Sequence, residues 1–131
     1  MVALKYGDIT GRIIAAAMEV HNTMGCGFQE YVYQRALQIE LTSRSIHSIR
    51  EFSMPIFYKG TQIATRRVDF LIENIISLEI KAKTQLEAVH FAQAINYLEA
   101  YNLEIGLLIN FGATSLEFNR LHNKRFKPIT G

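Results

Sequence analysis

The sequence predicts an α/β domain of element order ααβββαβ, with a further strand at its end, folded as a mixed, central four-stranded sheet flanked by helices. Three observations predict it. Apolar residues recur at three- and four-residue spacing through the first third of the chain, the period shortens toward two from Ile49, and a second helical stretch ending near Tyr101 leads into a continuous apolar run at 105–111. The chain has 131 residues, 49% of them hydrophobic and 20% charged, with only 2 prolines, which is the size and balance of one packed domain spanning 1–131 and excludes a disordered effector.

The first helix carries Ile13, Ala17, Val20 and Met24 on one stripe, with Asp8 or Thr10 as N-cap and Gly25 and Gly27 as its stop. The second runs over residues 28–43, with Tyr33, Leu37 and Leu41 on its core stripe and Val32, Ala36 and Ile39 beside it. Glu30 falls three residues before Tyr33, which puts a carboxylate on the side of the helix that otherwise faces the core. Lys59-Gly60 reads as a hairpin turn, and Glu73-Asn74-Ile75 as another, between strands 67–72 and 76–81. Thr84 and Glu87 form a capping-box pattern opening a helix to about Tyr101, with Phe91, Ile95 and Leu98 as its core stripe. The run 105–111 is a strand buried on both faces, and 116–121 adds an edge strand.

Several function classes are excluded or disfavoured. A lone Cys26 forms no internal disulfide, and no charged segment followed by an apolar run opens the chain, so a cytoplasmic setting is expected. Apolar stretches fall well short of the roughly 20 residues that span a bilayer, so no membrane partner is expected. The net charge of +2 is too weak by itself to announce a nucleic-acid binder, although Arg120, Lys124, Arg125 and Lys127 make a basic tail at about 120–131, read as solvated. Gly25-Cys26-Gly27 is not a phosphate loop, and no nucleotide cofactor is expected. His21 and His90 lack partners at zinc-ligand spacing and read as satisfied histidines.

The chemistry sits on the hairpin at 68–81. Its period requires Val68, Phe70, Ile72, Ile76, Leu78 and Ile80 to share the buried face, so cross-strand partners sum to an even number, as when residue 69 lies opposite 79. Asp69, Glu79 and Lys81 then emerge together on the other face. Two carboxylates suit a hard divalent cation, and a lysine beside them can orient a water and offset charge on a phosphorus undergoing attack. An exposed salt-bridge ladder is the competing reading of the same spacing.

Asp69, then Glu79-Ile80-Lys81, then a helix with Gln93 and Tyr97, in an αβββαβ order, resembles the PD-(D/E)xK nuclease superfamily and its restriction-endonuclease-like fold. Gly27-Phe28-Gln29-Glu30-Tyr31-Val32-Tyr33 is similar to the signature of the GxxExxY protein family within it, with Cys26 where that family usually has proline. The resemblance covers residues 9–125. It implies Asp69 and Glu79 as metal ligands, Glu30 as the helix carboxylate over the metal, Lys81 as the catalytic lysine, and Gln93 and Tyr97 as residues contacting the substrate or the lysine. The implied cofactor is Mg2+ or Mn2+, and the implied substrate is DNA or RNA. Against these stand plainer readings: Glu30 as a first-turn anion on the helix dipole, Tyr33 as a core residue supporting the site, and Gln93 and Tyr97 as a polar pair packing on the sheet. His90 shares the face of Gln93 and could reach a phosphate. The expectation is a metal-dependent nuclease; the alternative is a non-catalytic member of the fold that binds nucleic acid or protein. A homodimer would supply the surface a single small chain lacks for gripping a duplex.

Overall fold

The computed structural model describes residues 5–128. Helices α1 (Gly7–Met24) and α2 (Glu30–Ser43) precede strands β1 (Ser48–Tyr58), β2 (Thr61–Ile72) and β3 (Ile76–Lys81); α3 (Ala88–Tyr101), β4 (Ile105–Asn110) and β5 (Glu117–His122) follow. The strands form one sheet in chain order, antiparallel throughout except for the parallel pair β3 and β4, which α3 connects. The sheet is one strand wider than expected, because β5 pairs along the whole of β4, from Ile105↔His122 to Asn110↔Glu117.

β4 is buried over its whole length, and its alternating side chains divide the core into two layers. Leu107 and Ile109 face α1 and α2, together with Phe70, Ile72, Ile76, Leu78 and Ile80. Leu108 faces the other way, onto Ala94 and Leu98 of α3. No helix among the described residues is long and apolar enough to cross a membrane.

The structure departs locally from the sequence expectation at five places. α1 begins at Gly7 after Tyr6, so neither Asp8 nor Thr10 caps it; the Thr10 hydroxyl donates back to the carbonyls of Tyr6 and Gly7, as a threonine inside a helix does. Gly25, at φ 72, ends α1 as expected. Ile39 is exposed, since it stands on the far side of α2 from Leu37 and Leu41. α3 begins at Ala88, four residues after Thr84, because Glu87 itself is the N-cap: its side chain takes the His90 N–H while the Glu87 N–H donates to His90 Nδ1 at 2.9 Å. The basic segment after β5 is docked and not free. Asn123 is buried and donates to the carbonyls of Leu98 and Leu103, Arg125 pairs with Glu99, and Lys127 bonds Asn102 through its backbone. Residues 129–131 of that segment lie outside the described residues.

Val68 is the fifth. It does not join Phe70 and Ile72 but packs with Met54 and Tyr97 on the α3 side. The β1–β2 ladder is in one register on either side, at Arg50↔Phe70 and Phe52↔Val68, but the pair between them is missing, and Glu51 there adopts φ 55. A left-handed residue in a strand adds a local turn to the ribbon. That turn re-aims the side chains beyond it and leaves Asp69 at the seam between the two faces.

Candidate active site at the split between β2 and β3

The β2–β3 ladder holds Phe70↔Leu78, Leu71↔Ser77 and Ile72↔Ile76, the even register expected, and stops one pair short of residues 69 and 79. There the strands part, and side chains replace the ladder. Ile80 N–H donates to Asp69 Oδ2 at 2.9 Å, and Asp69 N–H donates to Glu79 Oε1 at 3.2 Å. Each carboxylate is thus tied to the opposite strand's backbone, and the two are held side by side. Gln34 of α2 donates to the remaining Asp69 oxygen at 3.2 Å.

The electrostatics follow from that placement. Burial, first, and the neighbouring Asp69 carboxylate, second, push Glu79 from 4.5 up to about 8. Burial likewise lifts Asp69 to about 6, with the backbone hydrogen bond from Ile80 opposing it and Glu30 adding to it. Lys81 lies near enough to favour the ionised form of both, and Arg66 does so for Glu79. The pair is short of positive charge.

Lys81 closes β3 opposite Asn110, and its carbonyl accepts Phe111 N–H at 2.8 Å. The segment that leaves it is clamped. Asn110, fully buried, accepts from the Lys83 and Gly112 N–H groups through Oδ1 and donates through Nδ2 to the Lys83 carbonyl and Glu117. A Cβ on Gly112 would collide with the backbone of Ala82 and Lys83, so only glycine lets the chain after the lysine pass there.

The other candidates divide. Glu30 opens α2, half-buried and close enough to act on Asp69; with Gln34 one turn on, it shares the side of α2 that meets the acids. Tyr33 is a support residue: fully buried, it stacks on Phe111 at 4.8 Å, donates to the Gly25 carbonyl at 2.6 Å and accepts from Phe28 N–H, fixing the loop before Glu30. Tyr97 is placed on Arg66 and not on Lys81: its hydroxyl donates to the Arg67 carbonyl at 2.7 Å and accepts from Arg66 Nε. Burial, then the Glu79 charge, raise its pKa. Gln93 lies half-buried one turn earlier on α3. His90 is engaged in capping α3, its Nδ1 taken by Glu87 N–H. His21 is satisfied by the Ala113 carbonyl at 3.0 Å, as expected.

Sequence reasoning missed Gln34, Arg66 and Asn110. Gln34 carried a signal, its spacing of four from Glu30. Arg66 and Asn110 carried none beyond their proximity in sequence to the acid and the lysine strands.

The fold is thus an α/β domain that parts two strands around paired acids, with a lysine two residues past the second. A family model of the PD-(D/E)XK nuclease superfamily matches residues 7–121, and the chain belongs to that superfamily. Among solved structures, the chain is similar to the crystal structure of a protein designated SSO0001, at 17% identity and a TM-score of 0.59, over 90% of this chain and 60% of that one. That likeness is one of fold. No curated protein matches the chain.

The donor set fits a hard divalent cation. Asp69 and Glu79 hold carboxylate oxygens side by side, the hard donors such a cation takes, and burial raises the pKa of both. Among the described residues no three His, Cys, Asp or Glu side chains form a metal-binding group, so the structure assembles two acids and leaves Glu30 beside them.

Proposed function

We propose that this chain is a divalent-metal-dependent nuclease that hydrolyses phosphodiester bonds of nucleic acid at the split between β2 and β3. The observation that carries this reading is the reciprocal pair of bonds by which Asp69 and Glu79 each hold the other strand's backbone, which fixes one half-buried and one buried carboxylate side by side, two residues from Lys81. Asp69 and Glu79 would hold Mg2+ or Mn2+, with Glu30 acting through water; a cation there supplies Lewis acidity to the phosphate and lowers the pKa of a bound water. Lys81 donates hydrogen bonds to the attacking water and to phosphate oxygens, offsetting negative charge that builds in the transition state. Gln34 and the Ile80 N–H keep Asp69 in place through the reaction, and Asn110 keeps the chain after Lys81 from moving the ammonium away. A second copy of the chain would extend the surface that grips the substrate.

The test is cleavage of labelled single-stranded DNA, duplex DNA and RNA with Mg2+, Mn2+ or EDTA, comparing wild type with Asp69→Ala and Lys81→Ala. Metal-dependent cleavage by wild type that both variants lose supports the proposal and selects the substrate. An inert wild type, or variants that cut equally well, overturns it in favour of a binding module.

A further inference from the structure

We infer that Arg66 is a phosphate-binding residue of this site, presented to the nucleic-acid backbone by Tyr97, and that Tyr97 is its positioning residue. The inference rests on the nuclease reading and extends it to a residue outside the acid and lysine set.

Arg66 lies three residues before Asp69 in the middle of β2, half-exposed, in the part of the strand that β3 no longer pairs. Two contacts fix it. Its guanidinium carbon sits 4.2 Å from the centroid of the Tyr97 ring, and its Nε donates to the Tyr97 hydroxyl. The ring is itself buried, packed with Met54 and Val68 and anchored by its own bond to the Arg67 carbonyl. These contacts occupy the face of the guanidinium and its Nε, and leave the two terminal nitrogens, which are the fork that meets a phosphate's paired oxygens.

The plainer role, a structural ion pair, does not account for the arrangement. Among the described residues no carboxylate lies within ion-pair distance of Arg66; the arginines that have such partners are Arg44, Arg67 and Arg125. Ordering an arginine side chain costs rotamer freedom, and here it holds a cation near enough to Glu79 to favour its charge yet not paired with it. Its neighbour in the split is an acid pair that would repel a phosphodiester unless positive charge stood beside it. Arg66 on the β2 side and Lys81 on β3 provide that charge from two directions, and a phosphate of the substrate backbone is the anion that completes the set.

The experiment is titration of labelled single-stranded DNA, duplex DNA and RNA, followed by fluorescence anisotropy, in a Lys81→Ala background with Mg2+ so that nothing is cut. Against that parent, Arg66→Ala is expected to weaken binding about tenfold and to reduce the dependence of log K on log salt by close to one phosphate contact. Arg66→Lys is expected to recover only part of the affinity, since an ammonium restores charge without the fork. Tyr97→Phe keeps the packed ring and removes the Nε anchor, and is expected to fall between parent and Arg66→Ala. Unchanged affinity and salt slope in Arg66→Ala would overturn the inference, as would full recovery by lysine. Circular dichroism of each variant identifies any loss of fold, and Tyr97→Phe and Arg66→Lys keep the test decisive if Arg66→Ala is unfolded. Failure of the nuclease reading shows separately, as nucleic-acid binding by wild type without metal-dependent cleavage. A parent that binds none of the three nucleic acids overturns both.

Discussion

The two edges of β3 behave differently. Toward β4 the strand is paired without a break from Ile76↔Ile105 to Lys81↔Asn110, every β4 residue is buried, and Gly106 brings the strands and α3 together so closely that a Cβ would stand 2.8 Å from Leu98 and Ser77 side-chain atoms. Toward β2 the pairing stops at Phe70↔Leu78, and two carboxylates occupy the place of the next pair. One edge makes the strand rigid; the other uses that rigidity. Glu79 and Lys81 point where they do because their backbone is locked to β4, while the opening toward β2 is what brings Asp69 against Glu79 at raised pKa. The same strand therefore stores stability on one side and gives some up on the other.

Changes on the two edges should separate accordingly. The largest effect is expected at the open edge: Lys81→Ala lowers the cleavage rate by about 10²–10³-fold or more, read in single-turnover assays, with little change in melting temperature. Asn110→Ala, where the rigid edge meets the chain leaving Lys81, removes the partner of the part-buried Lys83 N–H and carbonyl and is expected to lose about 1–3 kcal/mol of unfolding free energy in urea. Gly106→Ala overpacks the rigid edge and is expected to lose about 1–3 kcal/mol while leaving the cleavage rate at low temperature unchanged. A rate loss in Gly106→Ala without unfolding would break the comparison.

The open edge also carries a pH signature. The native pKa values of Asp69 and Glu79, about 6 and about 8, lie above the ordinary 3.8 and 4.5. Between roughly pH 4 and 8 the metal-free native state therefore binds more protons than the unfolded chain, and stability should fall as pH rises through that window. Glu79→Gln keeps an acceptor for the Asp69 N–H and removes the charge, and is expected to stabilise the metal-free protein at pH 8 by about 1–3 kcal/mol, with little effect at pH 4. Equal stability curves for the two proteins would contradict a Glu79 carboxyl raised by burial and by its neighbour Asp69.

Much of this was legible in the sequence where periodicity was strict. The even register of the β2–β3 hairpin follows from Phe70, Ile72, Ile76, Leu78 and Ile80, and with it the meeting of Asp69 and Glu79. The Lys59-Gly60 turn, with φ of 48 and 81, follows from Gly60, which takes a left-handed conformation freely between two strand-like runs. What was not legible depended on backbone conformation. The turn of the ribbon at Glu51 moved Val68 to the α3 face, and no local propensity marks a glutamate for φ 55. Tyr97 was visible as a site candidate, but its partner was not, because the contact with Arg66 joins residues 31 apart in the chain. The clamp at Asn110 was hidden for the same reason: inside an apolar strand, one asparagine becomes meaningful only when the loop after Lys81 is laid against it.

The most direct test of the central claim, that the opening between β2 and β3 is a built site for a divalent cation, is thermal unfolding at pH 8 with and without Mg2+ or Mn2+. A ligand that binds only the native state stabilises by about 2.7 kcal/mol at one hundred times its Kd. Wild type is expected to show a rise in melting temperature that saturates with metal concentration and is absent from Asp69→Asn and Glu79→Gln. A wild-type curve indifferent to either cation, or an equal rise in both variants, would contradict it.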